Sequence, residues 1–219
     1  MTPGPSLAEQ ARTVLAGSSV ATLVTRGCPG ARALAPVRVE DGRDGNPLLW
    51  LEEDSPAVRQ LGDRRVVSLL LPAPSPFRFL ELTGLLKTSP VACPGHLAYR
   101  LSLLSVRFAG RTSASVRVAD FVAARPDPLR DHAHAVLQHL ERAHAGELLA
   151  CLHAHGLHDA LAVVPRGLDR YGVSLSALCR DGVRSLRLEF PNGPVDRLED
   201  VALGLRVQLT CRCRRDAGS

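Results

Sequence analysis

The segment Ala124-Arg125-Pro126-Asp127-Pro128 constrains this chain more than any other. Neither proline suits a helix interior or a central strand, because each lacks an N–H and fixes φ. The 219 residues therefore read as two pieces, 1–126 and 127–219. Pieces of this size can each bury a core of their own.

In the first piece, Ser6-Leu7-Ala8-Glu9 is a capping-box pattern that predicts a short helix to about Ala16. Val20 to Thr25 reads as a buried strand, closed by turn material at Gly27-Cys28-Pro29-Gly30. Ala31 to Glu40 is the return strand, the run Asp41 to Pro47 a hairpin loop, and Leu48 to Leu51 a third strand. Ser55-Pro56 sets an N-cap and a first-turn proline ahead of a short helix to about Leu61. Val66 to Leu71 and Phe77 to Leu86 are further strands, and Pro90 to Gly95 interrupts the pattern. Leu97 to Val106 is expected to be a helix, and Ser115 to Ala123 a closing strand. The order of elements matches the split β-barrel of flavin-binding oxidoreductases such as pyridoxamine phosphate oxidase.

The second piece opens with one long helix expected from about Leu129 to His155, with Gly146 a liability inside it. Strands follow near Leu161–Arg166 and Val173–Cys179, then an Asp181-Gly182 turn and a third strand, Arg184 to Phe190. Asp196-Arg197-Leu198-Glu199 caps a final helix to about Leu209.

Composition excludes several classes of function. No apolar run approaches the ~18–20 residues that span a bilayer, and Met1 to Gln10 lacks the basic start and apolar block of a signal peptide. The expected location is cytoplasmic, where the six cysteines (Cys28, Cys93, Cys151, Cys179, Cys211, Cys213) should be free thiols. The net charge of +5 does not make a nucleic-acid site. Lys87 is the only lysine, the arginines are scattered, and aromatics for base stacking amount to 4%. Arg212-Cys213-Arg214-Arg215 reads as a solvated tail. There is no Ser/His/Asp arrangement, no phosphate-binding glycine loop and no zinc motif.

Three motifs follow one another in the second piece. They are His139-Leu140-Glu141-Arg142-Ala143-His144-Ala145, Arg166-Gly167-Leu168-Asp169-Arg170-Tyr171-Gly172, and Leu186-Arg187-Leu188-Glu189-Phe190-Pro191. In this order they resemble the small C-terminal α/β domain behind the split barrel of the HugZ and HutZ haem-utilisation family. In that family the helix reads His-Met-Asn-x-Asp-His-Ala-Asp. Here Glu141 stands for the usual Asn and Ala143 for the usual Asp. The resemblance spans roughly Pro128 to Gln208 and is weaker before it. It implies an α+β fold, with an FMN-binding-type split β-barrel (1–126) followed by a small α/β domain with a basic tail (127–219). It also implies a homodimer with its ligand groove where two barrels meet. The implied function is haem binding, as a carrier or regulator or as a haem-degrading oxygenase. Oxygenases of the HugZ type take a ligand histidine from a C-terminal loop, and no histidine follows His158 here. Binding is therefore favoured over turnover.

All but one of the eight histidines lie between His132 and His158. On a continuous helix, ~100° per residue puts His144 on the apolar face of Val136, Leu140, Leu148 and Cys151. His139 and His132 fall on its flank, and His134 points away with Glu141. Two imidazoles on one haem iron must lie ~4 Å apart. His132 and His139 are ~10 Å apart along such a helix, and His139 and His144 project ~140° apart, so no pair there makes a bis-histidine site. His144 is the expected axial ligand and His139 the second choice. Against this stands a core histidine bonded to backbone or to Asp169. Arg187 either pairs with Asp169 or meets a haem propionate. The alternatives are a flavin- or deazaflavin-dependent oxidoreductase, with Arg38, Arg78 and Lys87 (beside Thr88) holding the FMN phosphate, and an interaction module acting on a tetrapyrrole enzyme.

Overall fold

A computed structural model describes residues 4–26, 32–42, 44–61, 66–90 and 94–213, with 26, 32, 60 and 207–213 by backbone alone. The expected turn at Gly27–Gly30, the thiols Cys28 and Cys93, and Arg214-Arg215 lie outside the described residues. Backbone contacts divide the chain into two compact units, Leu7–Pro126 and the portion from Asp127 onward together with residues 4–6.

The first unit contains helix α1 (Leu7–Ala16) and strands β1 (Val20–Arg26), β2 (Arg32–Asp41) and β3 (Pro47–Glu52). Helix α2 (Pro56–Leu61) and strands β4 (Val66–Pro72), β5 (Phe77–Thr88), β6 (His96–Gly110) and β7 (Ala114–Val116) follow, then helix α3 (Val118–Ala123). The strands are ordered β3-β2-β1-β4-β5-β6, and β3 pairs again with β6, so six antiparallel strands close into a barrel. Closure follows from alternation. Val67, Leu69 and Leu71 of β4, Leu80, Leu82 and Leu86 of β5, and Leu101, Val106 and Phe108 of β6 point inward and are buried. The intervening residues face out. At Gly84 the β5–β6 register shifts, and a Cβ there would lie 2.3 Å from the Ser102 carbonyl oxygen, so only glycine fits the approach. Arg12 is buried under α1. It donates to Asp41 Oδ2 (2.9 Å) and to the Gly45 carbonyl (3.0 Å), with its guanidinium over the Phe121 ring.

Two expectations for this unit fail. Leu97–Val106 is not a helix but the middle of β6, which pairs with β5, β3 and β7. An apolar run this dense suits a helix or a strand, and the paired edges on both sides decide for the strand. The closing strand expected over Ser115–Ala123 ends at Val116, and the rest forms α3.

In the second unit, α4 (Arg130–Ala143) and α5 (Ala145–Ala154) precede an antiparallel sheet of β8 (Ala160–Asp169), β9 (Gly172–Cys179) and β10 (Gly182–Glu189), in the order β10-β9-β8. Helix α6 (Leu198–Cys213) follows. Val173, Leu175, Ala177 and Cys179 of β9 form the buried face, joined by Leu140, Leu148, Cys151 and Leu152 of the helices and by Val201 and Leu205 of α6. The single long helix expected over Leu129–His155 is thus two helices, broken at His144 (φ −127°, ψ 17°). No helix among the described residues is long and apolar enough to cross a membrane.

Asp127 sets where α4 begins. Pro128 offers no N–H, so the buried carboxylate reaches past it and accepts the Leu129 N–H (2.7 Å) in an Asx turn. Its other oxygen accepts the Arg170 N–H (2.8 Å) from the β8–β9 turn. Burial raises the Asp127 pKa, against the lowering effect of these two N–H donors. A carboxyl raised in the folded state binds its proton more tightly there than in the unfolded chain. Its contribution to stability is therefore present below the usual carboxylate range and is lost as pH rises through the raised value. Asp127→Asn keeps one acceptor and loses the other, at a cost of about 1–3 kcal/mol in urea unfolding. The stability difference between the wild type and this variant should shrink as pH is raised from about 4.

Candidate functional site

The α4–α5 break gathers the histidines differently from a continuous helix. The Leu140 carbonyl accepts the His144 N–H (3.0 Å), and the His144 carbonyl accepts the Leu148 N–H (2.9 Å), so helical bonding continues through the kink. The side chain is turned by its own partner. His144 Nδ1 lies 2.6 Å from Glu147 Oε2, three residues on. An ionised carboxylate only accepts, so Nδ1 is the donor in this bond, and in the neutral ring Nε2 carries the lone pair. That Nε2 lies 3.3 Å from His139 Nε2, with the two rings edge-on and their centroids 5.0 Å apart.

The expected separation of these two histidines around the helix is therefore wrong, because it assumes no break. His144 is half-buried rather than a core residue, and its ring bonds go to Glu147 and His139, not to backbone or Asp169. His132 and His134 are exposed, as is His139.

Both rings of the pair line a cleft of about 430 Å³ between α4 and α6. Its walls are apolar, with Val136 and Leu140 on one side and Val201, Ala202 and Leu205 on the other, and Arg206 stands among the lining residues. Glu147 and Arg206 were not among the sequence candidates. The i,i+3 spacing of His144 and Glu147 is a readable signal, whereas Arg206 comes into play only through the docking of α6.

Arg187 lies apart from this cleft's lining. It forms an ion pair with Asp169 and donates to Ser174 Oγ (3.1 Å), so the within-fold partner is the one it takes. Gly172 belongs to the same corner, since a Cβ there would lie 2.1 Å from the Leu188 carbonyl oxygen. A further cluster, Asp159, Cys179 and Asp181, brings ligand-type atoms within 4.8 Å of one another, but Arg184 already pairs with both aspartates. Burial raises the Cys179 pKa, which keeps it a thiol.

In the first unit, Arg38, Arg78 and Lys87 do not converge. Arg38 pairs with Glu40 (2.7 Å), lies over Trp50, and lines a cavity of about 450 Å³ with Trp50 and His96. Arg78 and Lys87 stand near opposite ends of β5, roughly 30 Å apart at about 3.3 Å per residue. Within one chain, no single phosphate meets all three. Cys151 and Cys179 are free thiols, and the side chains of Cys211 and Cys213 lie outside the described residues.

The chain matches no protein-family model and no curated protein. Among solved structures, a haem-binding protein from Mycobacterium smegmatis aligns with 99% of this chain and 100% of its own, at a TM-score of 0.71 and 23% identity. This chain has the same fold, a split β-barrel followed by a small α/β unit. Partial matches include a pyridoxamine 5'-phosphate oxidase-type protein from Listeria innocua (TM-score 0.39, 14% identity, 47% of this chain and 98% of its own). Another is ChuZ from Campylobacter jejuni (TM-score 0.39, 9% identity, 47% of this chain and 55% of its own).

Arg187→Ala removes one arm of a part-buried ion pair and leaves Asp169 uncompensated. The expected result is a lower thermal midpoint, with a loss of about 1–3 kcal/mol, and an unaltered affinity for any ligand of the α4–α6 cleft. A weakened ligand titration at an unchanged midpoint would restore Arg187 to the site.

Proposed function

We propose that this protein binds haem in the cleft between α4 and α6, with His144 as the axial ligand of the iron. The observation that carries the reading is an oriented imidazole at an apolar cleft. The carboxylate of Glu147 on Nδ1 orients the ring, so that Nε2 would be the ligating nitrogen. The cleft volume of about 430 Å³ falls within the range of small-molecule sites, roughly 300–1,000 Å³. Its Val and Leu walls suit a porphyrin face, and Arg206 among the lining residues suits a propionate. When bound, the haem iron would supply redox and diatomic-ligand chemistry. The fold similarity to a protein named as haem-binding supports the same reading.

Only one of the two histidines serves as axial ligand. A trans pair needs its nitrogens about 4 Å apart with a porphyrin between them, and these lie 3.3 Å apart with nothing between. His139 is exposed and lines the same cleft.

We also propose that the protein is a homodimer through the outer face of its barrel. Val66 and Leu85 stand opposite each other on β4 and β5 with much of their surface exposed, and Phe79 and Leu104 are exposed on β5 and β6. An apolar surface of that kind marks an interaction site. Light scattering should return about twice the 23.5 kDa chain mass, and a monomer at micromolar concentration would remove this proposal.

Hemin titrated into the protein should bind one per chain with a Soret band. His144→Ala should shift or abolish that band with the fold and dimer intact, and His139→Ala should have the smaller effect. An unchanged spectrum for His144→Ala would make His144 structural. FMN is expected to show no measurable binding. Micromolar affinity for FMN, weakened by replacing Arg38, would favour the flavin reading instead.

A further inference from the structure

We propose that His139 and His144 form a chelating site for a bare divalent transition-metal ion such as Zn²⁺, bound Nε2 to Nε2. The proposal goes beyond haem binding and stands whether or not the cleft accepts haem.

Distance is the first ground. Two imidazole nitrogens at about 2.0–2.1 Å from a tetrahedral ion are about 3.3 Å apart, and the two Nε2 atoms are 3.3 Å apart here. The ring centroids supply a second measure. Two rings aimed at one tetrahedral ion would have centroids about 5.2 Å apart. Rings aimed head-on at the same N···N distance in a hydrogen bond would have them about 5.6 Å apart. The observed separation is 5.0 Å, with the ring planes 71° apart. The rings are therefore bent away from a shared line, an arrangement compatible with cis ligands of one ion.

The second shell agrees with this arrangement. Metal-ligating histidines usually pass their other N–H to a carboxylate, which orients the ring and strengthens the donor nitrogen. His144 does so with Glu147 at 2.6 Å. The helix break supplies the geometry, because on a straight helix residues five apart do not face each other. His139 sits in the last full turn of α4, and His144 caps both α4 and α5. With His139 exposed and His144 half-buried, water can complete the coordination shell, as in sites that keep open positions.

Nitrogen donors of this kind select ions such as Zn²⁺, Ni²⁺ and Cu²⁺ over Mg²⁺ or Ca²⁺. The same two Nε2 atoms cannot hold such an ion while one of them ligates haem iron, so the two ligands exclude each other.

Isothermal titration of Zn²⁺ into the chelator-treated full chain, with no haem present, tests the site. One saturable site per chain is expected. His139→Ala and His144→Ala should each weaken it by more than about tenfold, and Glu147→Gln by about tenfold. His134→Ala, exposed elsewhere on α4, should leave it unchanged. His139→Gln guards against a folding defect, since thermal midpoints of the variants are compared alongside. Cu²⁺ electron paramagnetic resonance should show two coordinating nitrogens in the wild type and one in His139→Gln. Absence of saturable Zn²⁺ binding would overturn the proposal. So would binding that survives both histidine substitutions, which would put the ion elsewhere, for example at Asp159, Cys179 and Asp181. Binding of Zn²⁺ without hemin would remove the haem reading alone, and hemin without Zn²⁺ would remove this one alone.

Discussion

The second unit hangs on one buried carboxylate, Asp127. Flanked by Pro126 and Pro128, it sits where the backbone itself has few N–H groups to offer. Its oxygens instead accept the Leu129 N–H at the entry to α4 and the Arg170 N–H at the β8–β9 turn. A buried carboxylate is costly unless it is fully bonded, so this arrangement fixes both partners at once. The start of α4 is thereby tied to the far end of the sheet it packs on. Every later residue of that helix, His139 included, inherits its height and rotation from this point.

The same turn carries the Asp169–Arg187 pair and the close approach at Gly172. Asp169 lies near Asp127, and its charge adds to the cost of ionising Asp127. Arg187 offsets that charge on the Asp169 side, which is a reason for its side chain to turn to the fold and not to a ligand. Arginine placement in this unit follows from where buried negative charge must be balanced.

Much of this was legible in the sequence, and the misses have identifiable causes. The hairpins of β8, β9 and β10 and the alternation along β4 and β5 are local signals that survive folding. β6 was misread because Leu97, Leu101, Leu103, Leu104 and Val106 fit either period, and only pairing with β3 and β5 chooses between them. The histidine pair was missed for a different reason. A projection of residues 129–155 assumes one axis, and the axis ends at His144. Gly146, a poor helix-interior residue two positions past His144, is the local signal nearest the kink. The α6 wall of the cleft could not be read locally at all, since Val201, Leu205 and Arg206 meet α4 only through tertiary packing.

What the kink changes is the choice of ligand geometry. On an unbroken helix the two imidazoles would diverge, and each could act only alone. With the axis broken, Glu147 turns His144 toward His139, and the two Nε2 atoms come within 3.3 Å of each other beside an apolar wall. Under the haem reading proposed above, His144 would hold the iron and the Val and Leu walls would face the porphyrin. Under the metal proposal, the Nε2 atoms of His139 and His144 would hold the ion together. Were both proposals to hold, haem and a metal ion would compete for His144 Nε2, and neither could occupy the site with the other bound.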